Sequence, residues 1–171
     1  MTVPALTMLS EEERLLRDSV FGFARERVAP HVARMDQESR LEPSLLREMF
    51  QMGLMGIEIP EAHAGAGGTF MNAILAVEAL ARVDASLAVV VDVQNTLVNN
   101  ALLRWGTAAQ KQRYLPQLAS EWVGSYALSE QGSGSGFEEV AFGVDVFDLG
   151  EVGALENLHG FLGALVLDQQ T

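Results

Sequence analysis

The composition of the chain changes abruptly after a Gly/Ser run at residues 132–136. Residues 137–171 hold seven of the 23 Asp and Glu residues and none of the 11 Lys and Arg residues. A shift of this kind normally marks a linker or a domain boundary. Because so short a tail is too small for an independent domain, the fold must be built mainly from the residues before the run.

The whole chain has the composition of a globular protein, with 171 residues of which 49% are hydrophobic and 20% charged. Its net charge of -12 predicts no nucleic-acid partner and no anionic membrane surface as partner. The absence of cysteine excludes disulfides, thiolate metal sites and Cys nucleophiles. No apolar run is long enough to span a membrane, and residues 1–10 lack the patterns of signal and transit peptides.

Capping residues and apolar spacing predict a series of helices before the Gly/Ser run. Ser10 opens the first with the pattern Ser-x-x-Glu, and Asp84 and Thr107 are predicted caps further along. Pro30 and Pro116 are predicted to end their helices, because proline interrupts the backbone hydrogen-bond ladder. The predicted helices span residues 11–28, 44–52, 70–83, 85–103 and 108–114.

The remaining segments predict a loop, a strand and a tail. Residues 53–68 contain five glycines and are expected to form a loop, and residues 123–128 are β-prone and predict a first strand. In the tail, residues 155–167 could form a short amphipathic helix, but two glycines interrupt it. We therefore expect the tail to be disordered or loosely packed.

The Gly/Ser-rich segment at residues 129–136 is the first candidate site. Successive N–H groups with small side chains can wrap an anion or the polar edge of a flavin. The alternative is a flexible linker, which the chemistry alone favours. Neither dinucleotide nor P-loop fingerprint is present.

Other polar residues offer weaker candidates. His31, His63 and His159 lack metal-ligand spacing, and Glu58 and Glu61 are expected to be solvated carboxylates rather than an acid/base pair. Four amides interrupt the apolar segment at residues 85–103, where either a ligand-facing spot or a contact between helices would satisfy them. They are Gln94, Asn95, Asn99 and Asn100.

The order of several short motifs resembles the acyl-CoA dehydrogenases, and among them the short/branched-chain type. Each motif is weak alone, but six in the family's order and spacing, within residues 9–135, make a specific pattern. The motifs are QMGLMGIE at 51–58, EALARVDAS at 78–86, QNTL at 94–97, GTAAQK at 106–111, YLPQL at 114–118 and GSYALSE at 124–130.

The resemblance implies a mainly α fold: an N-terminal helical domain, the start of a β-domain and a tail that does not match. It also implies FAD as cofactor, an acyl-CoA thioester as substrate, and an electron-transferring flavoprotein as electron acceptor. The implied reaction is α,β-dehydrogenation of short or branched acyl-CoA in fatty-acid or branched-chain amino-acid catabolism. The implied location is the mitochondrial matrix.

Carried over residue by residue, the flavin-binding segment of the family corresponds to residues 126–135. The backbone of Tyr126 and Leu128 and the hydroxyl of Ser129 would face the flavin, and Ser135 would also contact the acyl-CoA. The implied cofactor-binding residues are Tyr126, Ala127, Leu128, Ser129, Glu130, Gln131, Gly132, Ser133, Gly134 and Ser135.

The resemblance stops after Ser135: the family pattern continues Gly-Ser-Asp after the glycines, whereas in this chain Ser135 is followed by Gly136. We expect a helical domain at residues 1–122, a first strand and flavin loop at 123–136, and a divergent tail at 137–171, as an altered reading frame or splice would give. The family's catalytic Glu belongs to a C-terminal bundle, so no catalytic and no metal-binding residue is assigned here. The alternative to an enzyme is a truncated helical module that associates with full-length subunits or is degraded.

Overall fold

The computed structural model of the chain describes residues 8–127, 143–148 and 165–166. Seven α-helices and three strands lie within these ranges, together with two π-helical segments and two 3-10 turns. The helices are α1 (Glu11–Phe23), α2 (Val32–Glu38), α3 (Pro43–Gln51), α4 (Phe70–Ala81), α5 (Ala85–Asp92), α6 (Asn100–Trp105) and α7 (Ala108–Ser120).

The predicted caps start their helices as expected. The Ser10 hydroxyl accepts from the Glu13 N–H at 3.1 Å, and the Glu13 carboxylate accepts in return from the Ser10 N–H at 2.7 Å. Thr107 and Gln110 form the same reciprocal pair, and Asp84 accepts from the Leu87 N–H at 2.7 Å. Each pair satisfies N–H groups that the first turn of a helix leaves without a partner.

The prediction that Pro30 and Pro116 end their helices is wrong. After α1 the helical path continues through a π-helical segment (Ala24–Val28) and a 3-10 turn (Ala29–His31) into α2. Pro30 lies in the first turn of that 3-10 piece, where a missing N–H costs nothing. Pro116 lies inside α7, whose buried Leu115 and Leu118 hold the helix across the missing hydrogen bond.

Two clusters of buried side chains form the core. The larger joins α1, α3, α4 and α5 through residues such as Val20, Leu46 and Leu80. The smaller joins α6 and α7 to the loop residue Ile59. Because α5 and the helical path beyond it contribute to both clusters, this path is the central element of the fold.

Residues 53–68 form a glycine-rich loop, as predicted, with one 3-10 turn at Glu61–His63. Its two limbs are joined by backbone hydrogen bonds, including Gly67 N–H to Ile59 C=O at 2.9 Å and Gly68 N–H to Ile57 C=O at 2.7 Å. At Gly65 a Cβ atom would lie 2.0 Å from the Ile59 carbonyl oxygen. Only glycine allows the limbs to approach so closely.

The strands form a three-stranded antiparallel sheet in the order β1 (Trp122–Ala127), β2 (Gly143–Asp148) and β3 (Leu165–Val166). Val123 pairs with Phe147, and β2 covers the whole of β1. The sequence predicts no strand in the tail, so β2 is an addition to the expected elements, and its sequence GVDVFD contains two β-branched valines. The proposed helix at residues 155–167 is contradicted at its end by β3, and its earlier residues lie outside the described ranges.

These elements confirm the predicted fold class, a mainly helical N-terminal domain with the start of a sheet. Within the described ranges, no helix is both long and apolar enough to cross a membrane.

Candidate functional site

The central helical path widens between α5 and α6 into a second π-helical segment, Val93–Asn99, hereafter the π segment. Here the Asn100 N–H reaches back to the Asn95 carbonyl, five residues earlier. Such widening is frequent near functional sites. The π segment carries the three fully buried amide side chains of the described residues, Gln94, Asn95 and Asn99, each with 0% exposed surface.

Two of these amides hold the glycine-rich loop. Asn95 Oδ1 accepts from the Ile57 N–H at 2.9 Å, and Asn95 Nδ2 donates to the Leu54 carbonyl at 2.8 Å. Asn99 Nδ2 donates to the Met55 carbonyl at 2.9 Å. All three contacts end on main-chain atoms, so the loop backbone is fixed from inside the protein.

The third amide holds the start of the sheet. Gln94 Nε2 donates to the carbonyls of Leu118 and Trp122, both at 3.0 Å, and Gln94 Oε1 accepts from the Gly124 N–H at 2.7 Å. Gln94 therefore joins the end of α7 and two residues of β1 to the π segment. The sequence left open whether these amides face a ligand or join elements of the fold. In the structure all three join elements of the fold.

Two further side-chain contacts are local to the helical path. Asn95 Nδ2 donates to the Val91 carbonyl at 2.8 Å, and Thr96 Oγ1 donates to the Asp92 carbonyl at 2.9 Å. In an α-helix those carbonyls would accept from the N–H groups four residues on. Where the spacing lengthens to five, a side chain can take the carbonyl instead.

Gly124 allows β1 to lie directly on the π segment. A Cβ atom at Gly124 would be 2.4 Å from Val98 Cγ1. Gln94 and Val98 are four residues apart on one helical path, so one bonds the strand and the other packs against it. The contact between Gly124 and Val98 was not predicted, although a glycine inside a predicted strand is a signal of close backbone approach.

Strand alternation defines which backbone groups of β1 lie on the edge that faces away from β2. In an antiparallel strand the N–H and C=O of one residue point to the same edge, and those of the next residue point to the opposite edge. Because the Gly124 N–H points to Gln94, the backbone groups of Tyr126, two residues on, point to the same edge. Beyond the groups that Gln94 bonds, this edge of β1 therefore presents the backbone donor and acceptor of Tyr126.

A groove of about 480 Å³ opens on the far side of the π segment. Phe70 and Leu97 contribute apolar surface, and Asn100 Nδ2 donates to Glu58 Oε2 at 3.1 Å. Glu58 is thus partnered by an amide, whereas Glu61 is exposed in the 3-10 turn of the loop. The structure does not bring the two carboxylates into the paired arrangement that acid/base chemistry needs.

Two surface ion pairs, both apart from the Gln94 contacts, lower the pKa values of their carboxyl groups. Arg27 makes a two-pronged contact with Glu48, at 2.9 and 2.8 Å, and this hydrogen bonding lowers the pKa of the Glu48 carboxyl. Hydrogen bonds from Arg34 and Ser44 likewise lower the pKa of Glu42. Both pairs connect helices of the N-terminal half and lie outside the contacts of Gln94.

The predicted site residues fall partly within the described ranges. Tyr126 and Ala127 form the end of β1. The other eight, Leu128, Ser129, Glu130, Gln131, Gly132, Ser133, Gly134 and Ser135, lie outside the described residues, as does His159.

The other histidines stand apart. His31 Nδ1 lies 3.2 Å from Arg34, whereas His63 Nδ1 is buried and has no partner in the part of the chain that the structure describes. Within that part, no three His, Asp or Glu residues group as metal ligands would.

Comparison with known proteins gives a consistent family assignment. The model of the acyl-CoA dehydrogenase N-terminal domain matches residues 10–121. The chain is 50% identical over 133 residues to a probable short/branched chain specific acyl-CoA dehydrogenase of Dictyostelium discoideum, covering 78% of this chain and 32% of the relative. It is 46% identical to the mitochondrial short/branched chain specific acyl-CoA dehydrogenase of Bos taurus, covering 76% and 30% respectively. The chain thus spans about a third of the length of these relatives.

Solved structures agree on the fold. Glutaryl-CoA dehydrogenase from Mycobacterium smegmatis matches with a TM-score of 0.61 and 31% identity, covering 67% of this chain and 30% of that protein. An acyl-CoA dehydrogenase from Geobacillus kaustophilus matches with a TM-score of 0.68 over 81% of this chain and 39% of its own; its 22% identity bears on the fold alone.

Proposed function

Because the chain belongs to the acyl-CoA dehydrogenase family, we propose that it supplies the helical layer and the first strand of an FAD site. The observation that carries the proposal is the placement of β1. Gln94 holds Trp122 and Gly124, and the strand then leads through Tyr126 into the segment that resembles the family's flavin loop.

In this proposal the isoalloxazine lies along the edge of β1 that faces away from β2. The backbone of Tyr126 and Leu128 and the hydroxyl of Ser129 bond its polar rim. Gly132 and Gly134 let the backbone approach it closely. The whole set is residues 126–135, and FAD, when bound, supplies the hydride acceptor.

The substrate class follows from the resemblance to proteins named for short and branched chains. We propose α,β-dehydrogenation of a short or branched acyl-CoA in fatty-acid or branched-chain amino-acid catabolism, with Ser135 in contact with the acyl-CoA. The electron acceptor is an electron-transferring flavoprotein. The location is the mitochondrial matrix, in keeping with the name of the Bos taurus relative.

The family's catalytic Glu belongs to a C-terminal bundle, which the resemblance over residues 9–135 does not reach. No residue of the sequence matches the family's catalytic Glu, and Glu151 and Glu156 lie in the tail that does not match. We therefore propose that the chain alone binds flavin but does not turn over substrate. The division into residues 1–122, 123–136 and 137–171 belongs to the same proposal.

Flavin retention tests the cofactor part directly. The purified 171-residue chain is mixed with FAD, separated from the excess, and its visible absorbance is recorded. We expect retained flavin, weaker retention in Ser129→Ala because a hydroxyl partner is lost, and no change in the control Ser19→Ala on the exposed face of α1. A folded chain that retains no flavin would refute the proposal.

Turnover and association test the remaining parts. Incubation with a short branched acyl-CoA and an artificial electron acceptor should give no product from the chain alone. Normal turnover would show that the missing base is supplied elsewhere in this chain. Co-purification with a full-length acyl-CoA dehydrogenase, without flavin retention, would favour the non-enzymatic helical module.

A further inference from the structure

The edge of β1 that faces away from β2 is occupied at its start by a side chain. Gln94 accepts from the Gly124 N–H at 2.7 Å and donates to the Trp122 carbonyl at 3.0 Å. A neighbouring strand in an antiparallel sheet would offer the same acceptor and donor to these two groups. The primary amide of Gln94 therefore satisfies both groups at the place where a neighbouring strand would otherwise bond them.

The next backbone groups along this edge are the Gly124 carbonyl and the Tyr126 N–H, by strand alternation. Gln94 has 0% exposed surface, and its third bond, to the Leu118 carbonyl, ties the same amide to the end of α7. Val98 packs directly against Gly124 and leaves no room for a side chain at residue 124. Gln94 thus bonds the strand at Gly124, two residues before Tyr126, and so constrains where Tyr126 lies relative to the helices.

We propose that Gln94 is a positioning residue for the flavin edge of β1. This role rests on the proposed FAD site. Gln94 would fix the position of the Tyr126 N–H, which is the first backbone donor of the strand available to the cofactor. Gln94 does not touch the cofactor itself. Its loss should leave the helices folded and move the backbone of Tyr126.

The first test uses the unaltered chain. In a uniformly ¹⁵N,¹³C-labelled sample, a scalar coupling across the hydrogen bond should connect the Gly124 amide nitrogen to the side-chain carbonyl carbon of Gln94. Absence of this coupling in the folded chain overturns the inference. The measurement requires neither FAD nor a variant, so it stands even if substitution at Gln94 prevents folding.

The second test replaces Gln94 by methionine, which keeps the length of the side chain and removes both polar atoms. We expect the Gly124 amide to lose protection from hydrogen exchange while amides of α4 keep theirs. FAD affinity should fall on the order of tenfold, because a displaced Tyr126 backbone would lose about one net hydrogen bond to the cofactor. The matched control is Gln112→Met, on the exposed face of α7, which should leave both readouts unchanged.

The outcomes separate this inference from the FAD proposal. Unchanged Gly124 protection, or unchanged FAD affinity, in a folded Gln94→Met chain overturns the positioning role. If the unaltered chain binds no FAD, the FAD proposal fails. The amide shifts of Tyr126 and Ala127 then decide the positioning role: a shift confined to Gln94→Met supports it, and no shift refutes it.

Discussion

Asn95 offers the sharpest test of the idea that buried amides hold this fold together. The variant Asn95→Leu keeps the approximate size of the side chain but removes both polar atoms. It leaves the Ile57 N–H and the Leu54 carbonyl without their partners at 2.9 and 2.8 Å, inside a region with no exposed surface at Asn95. The contact to the Val91 carbonyl is lost as well.

The expected cost follows from these lost bonds. Each buried group left without a partner costs about 1–3 kcal/mol, so the two loop groups alone lower the free energy of unfolding by about 3 kcal/mol, before the lost Val91 contact is counted. That is a large share of the roughly 5–15 kcal/mol that a domain has. For a chain of this size, the midpoint of thermal unfolding should fall by about 10 °C.

Far-ultraviolet circular dichroism during urea and thermal unfolding measures both quantities. The matched control is Thr96→Val, which removes a half-buried contact within one turn of the π segment and should cost less than about 1 kcal/mol. If Asn95→Leu costs no more than Thr96→Val, the amide does not hold the loop, and the reasoning is refuted.

The variant Asn95→Asp adds a pH signature. A carboxylate at this buried position would face two carbonyl oxygens, so burial and repulsion would raise its pKa above the ordinary value. A raised pKa in the folded state means that stability is retained at low pH and lost as pH rises above about 4. Stability that is independent of pH relative to the unaltered chain would contradict the buried contacts.

Two further predictions concern the strand contact and the surface. Gly124→Ala should destabilise the chain, because its Cβ would lie 2.4 Å from Val98 Cγ1; adding Val98→Ala should restore part of the loss, and a double-mutant cycle with no coupling would contradict the contact. Hydrogen bonding from Arg27 lowers the pKa of Glu48 below its ordinary 4.5, so its contribution to stability is full above that pH and is lost as the pH falls through the lowered value. Acid titration of Glu48→Gln should therefore show a smaller loss of stability than the unaltered chain, and an equal loss would refute the role of the pair.

Local chemistry made the helix starts predictable, whereas long-range packing decided where helices end. Ser10, Asp84 and Thr107 cap helices because their side chains satisfy N–H groups within three residues. Pro116 fails as a stop because burial of the neighbouring Leu115 and Leu118 outweighs one lost hydrogen bond.

The candidate site could be predicted only in part. The amides at 94, 95 and 99 stand out in an apolar segment, but their partners lie about 25 to 45 residues away in the chain. Residue type indicates that a buried amide needs a partner and does not say which backbone group supplies it. Local propensity predicted the strand that contains Tyr126, whereas the flavin role of residues 126–135 comes from the family resemblance alone and stays a prediction.

The asparagine contacts to the glycine-rich loop have a consequence for how freely its sequence can vary. Asn95 and Asn99 bind only main-chain atoms of Leu54, Met55 and Ile57, so they recognise the path of the loop and not the chemistry of its outer side chains. Exposed positions such as Ala62 and Ala66 are therefore open to substitution. A library randomised at those two positions should yield mostly folded variants, which makes the loop a place to graft new surface chemistry onto an unchanged scaffold.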